Sequence, residues 1–286
     1  MRLSSLIPTL SRRFQRSTAT ALLGLLVLPM AVSATWSVIA VDKRTGRVVI
    51  ASATCVPQER LLSFPAKGLM DIQAIVVPGV GVAAAQAGVD RTRANQQVIY
   101  DEMKKGTAPQ LIIEQLSDDA DFQRRQFGIV DLTGRCAGFS GEGNSAASLS
   151  VQDSVPDSEI FFSIQGNILA SDDVVHLAVS AFKETSGTLE DRVMAAMEAA
   201  DDAGGDNRCT CDTEPVLEVA CDGKTSHVAY LLAADPTDRE GESFNDGDYA
   251  LFLNVHDQNI VEGENANPVK TLRMRYDKWK SEGPLR

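Results

Sequence analysis

Polar and apolar residues alternate over residues 35–42, Lys43-Arg44-Thr45-Gly46 reads as a turn, and 47–53 continues as the return strand, so the chain predicts an antiparallel hairpin here. A second strand pair, 71–77 and 80–86, flanks Pro78-Gly79. Helical patterns follow over 90–105, ending at Gly106, and over 109–116, which carries Pro109 in its first turn. Residues 127–131 and 135–139 form another predicted hairpin about Thr133-Gly134. After a strand at 160–165, Val175, Val179 and Phe182 recur at helical spacing, as do Val193, Ala196, Met197 and Ala200. They predict core-facing helices over 171–184 and 189–203, the second stopping at Gly204-Gly205. Strands at 227–233 and 249–255 and a helix at 268–280 complete the pattern. Strand pairs flanked by helix pairs predict an α+β domain of two stacked, mainly antiparallel sheets with helices on both outer faces.

Residues 1–34 follow a different pattern. Arg2, Arg12, Arg13 and Arg16 form a basic stretch without acids, 19–31 is an apolar run, and Val32-Ser33-Ala34 supplies small residues, the order expected of a cleaved export signal. The run is broken by Thr20, Gly24 and Pro29 and is shorter than the ~20 residues of a spanning helix, so a stable membrane anchor is disfavoured. Ser11-Arg12-Arg13 hints at a twin-arginine signal, but the residues after it fit the general secretory route better. A cut after Ala34 makes Thr35 the first mature residue, whereas a cut after Ala31 leaves three residues ahead of it. The expected organisation is thus a signal at 1–34 and one domain at 35–286, exported to the periplasm or the medium.

Loss of the four signal arginines leaves 23 basic residues against 39 acidic ones, a net charge of −16. That balance argues against nucleic acid as a partner, since phosphate binding needs clustered lysine and arginine. Cys55, Cys136, Cys209, Cys211 and Cys221 point to disulfides in an oxidising compartment. Cys209-Thr210-Cys211 with Cys221 suggests a loop closed by a bridge, and a second bridge between Cys55 and Cys136 is left open. The cysteine spacing matches no common zinc pattern and no histidine sits at ligand spacing, so no metal is expected, and a residue that is both nucleophile and base needs no cofactor.

The chemistry centres on Thr35. An N-terminal threonine carries a hydroxyl nucleophile and an α-amine base on one residue, and that amine titrates near ~8. Gln86-Ala87-Gly88 ends a strand where a backbone N–H could stabilise an oxyanion. Gln165-Gly166-Asn167 places amides suited to a substrate amide or the Thr35 amine, and Asp206 follows the double glycine. Asp42 and Lys67 are weaker candidates. His176, His227 and His256 form no metal pair or Ser-His-Asp set, and no Gly-x-Ser-x-Gly elbow is present.

Six blocks in order resemble the DUF1028 family: Thr35-Trp36-Ser37-Val38-Ile39-Ala40, Gly81-Val82-Ala83-Ala84-Ala85-Gln86, Arg125-Gln126-Phe127-Gly128-Ile129-Val130-Asp131, Phe139-Ser140-Gly141, Gln165-Gly166-Asn167-Ile168-Leu169-Ala170 and Gly204-Gly205-Asp206. The resemblance implies a four-layer αββα sandwich like that of N-terminal-nucleophile (Ntn) hydrolases. Members usually begin Met-Thr, so methionine removal would expose the threonine that signal cleavage exposes here. The segment 209–221 and Ala53-Thr54-Cys55 depart from the family pattern. A lysine that assists the threonine in the proteasome, a related N-terminal-threonine enzyme, would correspond to Lys67 only loosely. Two functions remain: an amidohydrolase acting through Thr35 on a small-molecule or peptide amide, and a silent domain of the same fold that binds a small ligand or envelope component. A homodimer is left open.

Overall fold

The computed structural model describes residues 35–64 and 66–283, so the predicted signal lies outside the described residues. Ten strands and seven α-helices are present among them, in the order β1 (Thr35–Asp42), β2 (Arg47–Thr54), α1 (Gln58–Leu62), α2 (Leu69–Gln73), β3 (Ala74–Val77), β4 (Gly81–Ala87), α3 (Ala94–Lys104), α4 (Pro109–Leu116), β5 (Arg125–Asp131), β6 (Cys136–Ser140), β7 (Leu149–Ser154), β8 (Ile160–Asn167), α5 (Asp173–Glu184), α6 (Leu189–Asp202), β9 (Val228–Ala234), β10 (Leu251–His256) and α7 (Pro268–Glu282). A six-stranded sheet runs β10-β9-β2-β1-β8-β7 and a four-stranded sheet β3-β4-β5-β6. Every pairing in both is antiparallel.

Three apolar layers hold the stack together. Trp36, Val38 and Ala40 of β1 pack with α5, α6 and α7 on one outer face. Ile39 and Val41 of the same strand face the other way, against Val76, Val82, Ala84 and Val130 of the second sheet. Ile75, Ala83, Phe127 and Ile129 cover the far side of that sheet together with Ile99 and Met103 of α3 and Ile112 of α4. The period-two alternation of a strand makes this double duty possible, and the result is helix on sheet on sheet on helix, as the patterning predicts.

Local chemistry sets the boundaries. Gly46 closes the β1/β2 hairpin at φ +77°, a left-handed conformation that favours glycine, and its N–H donates to the Asp42 carbonyl at 2.8 Å. Thr188 and Asp191 form a capping box on α6, and Asn267 caps α7 ahead of Pro268.

The structure departs from the sequence reading in four places. The strand expected at 71–77 is split, with α2 taking residues 69–73 and β3 only 74–77. β7 and the short α1 were not predicted. Cys211 pairs with Cys221, closing the expected loop. Cys55 pairs with Cys209, 154 residues away, instead of with Cys136, which stays free and half-buried. Burial and the nearby Asp131 and Asp153 charges push the Cys136 thiol up to about 12, so it is a poor nucleophile.

Candidate functional site

β1 sits between β2 and β8, with Thr35 opposite Thr54 on one side and Asn167 on the other. Alternation turns Thr35 and Ser37 toward the gap between the sheets while Trp36 points to the outer helices. Near Ile39 and Val41 that gap is filled with aliphatic side chains. At the Thr35 end it is filled with amides instead: Gln73 from α2, Gln86 from β4, Gln126 from β5, and Gln165 and Asn167 from β8. None of these is more than 6% exposed.

Gln86 links the group. Its Nε2 donates to the Thr35 carbonyl at 3.2 Å and to Gln126 Oε1 at 2.6 Å. Its Oε1 accepts from Ser37 Oγ at 2.7 Å and from Gln73 Nε2 at 2.5 Å. Gln126 Nε2 donates to the Gly166 carbonyl at 2.8 Å and Ser140 Oγ at 3.0 Å. Gln165 Nε2 donates to Ser37 Oγ at 2.6 Å and its Oε1 accepts from Ser163 Oγ at 2.7 Å. Tyr230 O–H completes the set by donating to Gln73 Oε1 at 2.9 Å, and full burial holds that phenol protonated far above its ordinary range. Such networks are rigid because each buried amide must keep its partners. Gly128 makes room for this one, since a Cβ there would lie 2.4 Å from Gln165 Oε1.

Asn167 is the exception. Its Nδ2 donates to Gln126 Oε1 at 3.2 Å and to the Thr35 carbonyl at 3.4 Å, while its buried Oδ1 has no partner. Flipping the amide would set oxygen against two oxygens, so the orphan acceptor is the arrangement that best satisfies the rest. Thr35 Oγ1 donates to Thr54 Oγ1 at 3.3 Å. Backbone strain marks the same place: Ala87 has φ +71° directly after Gln86, and the β-branched Ile168 has φ +55° directly after Asn167.

The remaining candidates divide clearly. Gly88 N–H donates to the Arg124 carbonyl at 2.8 Å, and its own carbonyl accepts from the Arg125 side chain at 2.6 Å, so this amide is engaged with the end of β5 and is not free to hold an oxyanion. Asp206 is fully buried, paired with Arg208 at 2.7 Å and accepting the Cys55 N–H at 3.2 Å. Asp42 lies seven residues along β1 from Thr35, roughly 23 Å at strand rise. It borders a cleft of about 770 Å³ with Arg47, Glu190, Tyr276 and Trp279, at the end of the strand opposite Thr35. Lys67 is exposed, with its backbone N–H on Asp71, and His176 is exposed on α5. His256 Nδ1 accepts from the Gln258 N–H at 3.3 Å.

His227 is the residue that sequence reasoning passed over. It is 1% exposed, its Nδ1 has no partner, and burial reinforced by Lys224 pushes its imidazole down to about 4, so it is neutral at ordinary pH. With Cys55 and Cys209 it forms a group of three potential metal ligands whose donor atoms lie within 4.8 Å of one another. Gln73, Thr54 and Gln126 were missed as site members too. A polar residue directly before the apolar run at 127–130 would have been the signal for Gln126, which sits opposite Gln86 in the β4/β5 ladder.

Among solved structures, that of protein SPO2555 from Silicibacter pomeroyi, a DUF1028 protein, resembles this chain at 22% identity and a TM-score of 0.60, covering 87% of this chain and 90% of that one. No curated protein matches. The model of DUF1028, described as a family of unknown function, matches residues 35–232, and the chain belongs to that family.

Proposed function

We propose that this protein is an exported N-terminal-nucleophile amidohydrolase, an Ntn-like fold in which Thr35 acts once residues 1–34 are removed. The observation that carries the reading is the orphan Asn167 Oδ1 in the strand position facing Thr35. In the uncleaved chain the Thr35 nitrogen is an amide. Cleavage makes it an amine with additional protons to donate, and the unpartnered acceptor on the residue paired with Thr35 would hold that amine in place. The Gln86 and Asn167 donors on the Thr35 carbonyl fix the residue from the other side. The two disulfides are compatible with export, and no described helix is long and apolar enough to cross a membrane.

In the proposed reaction the Thr35 hydroxyl attacks an amide carbonyl and its proton passes to the α-amine. The amine returns that proton to the departing amine as the C–N bond breaks, leaving an acyl ester on Oγ1. Water, deprotonated by the same amine, then releases the acid. The amide network positions Thr35 and takes no part in bond making. Thr35→Ala should abolish turnover on an amide panel while the fold is kept, and Thr35→Ser should retain substantial rate. Equal activity in all three proteins would sink the proposal.

A further inference from the structure

Cys55, Cys209 and His227 lie beside the Thr35 end of the large sheet. Cys55 directly follows Thr54 at the end of β2, and His227 directly precedes β9, whose Val228 pairs with Thr54. The two residues are therefore the next step of the same ladder, secured by the His227 N–H donating to the Thr54 carbonyl at 2.8 Å. Cys209 arrives from the 204–226 loop. The fully buried Asp206 fixes that loop to the strand by accepting the Cys55 N–H, and Cys209 N–H donates to the Asp206 carbonyl at 3.3 Å.

These backbone bonds hold the three residues together independently of the sulfur–sulfur bond. Cutting the sulfur–sulfur bond would leave two thiols beside a buried imidazole whose Nδ1 lacks a partner. A buried, unpartnered ring nitrogen is costly, and a metal bond is one way to satisfy it.

We propose that Cys55, Cys209 and His227 form a redox-gated site for a thiophilic divalent cation, closed as the disulfide and opened by reduction. A dithiol reductant supplies two electrons and two protons, leaving as its own disulfide and yielding Cys55-SH and Cys209-SH. The cation then displaces both thiol protons to solvent and is held by two thiolates and one imidazole nitrogen. Tetrahedral zinc needs Zn–S near ~2.3 Å and Zn–N near ~2.0 Å, and donors already within 4.8 Å need only small side-chain rotations to reach that geometry. Three protein ligands leave the fourth position to water or a ligand, the pattern of open rather than purely structural zinc sites. This site does not rest on the catalytic reading of Thr35.

The test uses the full chain, oxidised or reduced with a non-coordinating phosphine, equilibrated with Zn²⁺ alone, desalted and assayed for bound metal. The reduced protein should retain one zinc per chain and the oxidised protein none. The Cys211→Ser/Cys221→Ser double variant should keep that zinc, which excludes the second bridge as its source. His227→Gln should weaken binding by about tenfold or more. Equal zinc in the oxidised and reduced proteins, loss of zinc in the double variant with its fold intact, or unchanged affinity in His227→Gln would each overturn the proposal. If the double variant fails to fold, the comparison of wild type with His227→Gln decides the matter by itself.

Discussion

The two ends of β1 share a strand, a sheet and an inter-sheet gap, yet they are built from opposite materials. Toward Asp42 the gap is aliphatic, with Ile39 and Val41 against Val82 and Val130, while on the helix-covered face of the sheet Arg47 lies between Glu190 and Asp235. Toward Thr35 the gap is filled by uncharged amides that bond one another and the Thr35 carbonyl. Apolar packing is non-directional and tolerates approximate fit, whereas an amide network has one arrangement that satisfies its members. One end therefore supplies stability and the other supplies position. The strained Ala87 and Ile168 and the orphan Asn167 Oδ1 all fall at the second end, where a local rule is broken in a fold that otherwise obeys it.

Ile39→Ala should show the largest effect, because Ile39 is fully buried in the aliphatic half: a loss of about 2–5 kcal/mol in denaturant unfolding. The slope of that transition should stay unchanged. Gln126→Ala should cost less, about 1–3 kcal/mol, because it strips Gln86 and Asn167 of an acceptor and leaves them buried. Its sharper signature is at the site, where Thr35 loses the support that orients both of its carbonyl donors. If Gln126→Ala destabilised the protein more than Ile39→Ala, the division between the two ends would be wrong.

The smallest effect concerns the charged cleft on the helix-covered face. Burial works to raise the Asp191 carboxyl, but hydrogen bonds from Lys280, the Thr188 N–H and Tyr276 outweigh it and hold the group down at about 2. A carboxyl depressed in the folded state stabilises the fold above its unfolded value near 4, and that contribution is lost as pH falls through about 2. The stability difference between wild type and Asp191→Asn should accordingly be constant above pH 5 and shrink between about pH 4 and pH 2. A difference that does not change across that window would contradict the assignment.

How far the sequence reached follows the same division. The β1/β2 hairpin, the helices at 109–116 and 171–184 and the layering were legible because alternation, helical spacing and turn residues all agreed. β7 escaped because Leu149–Ser154 is a mostly polar, half-buried edge strand paired only with β8, so it lacks the apolar signal of a core strand. Residues 71–73 were mistaken for strand because Met70-Asp71-Ile72 fits a strand or a helical turn equally well. At the candidate site, Thr35 was singled out by its place after the predicted signal, Gln86 by its place at a strand end, and Gln165 and Asn167 as polar residues ending an apolar strand. The Cys55–Cys209 pairing and the position of His227 were not. They are separated by long stretches of chain and meet only because β2 and β9 are neighbours in the sheet.

The claim on which the functional account turns is that the mature chain begins with Thr35, and the intact mass with N-terminal sequencing of the protein exported by a host that processes its signal tests it directly. The account predicts a chain of 252 residues starting Thr35-Trp36-Ser37. A start at any other residue, or a chain that keeps residues 1–34, would leave Thr35 without a free amine and contradict it.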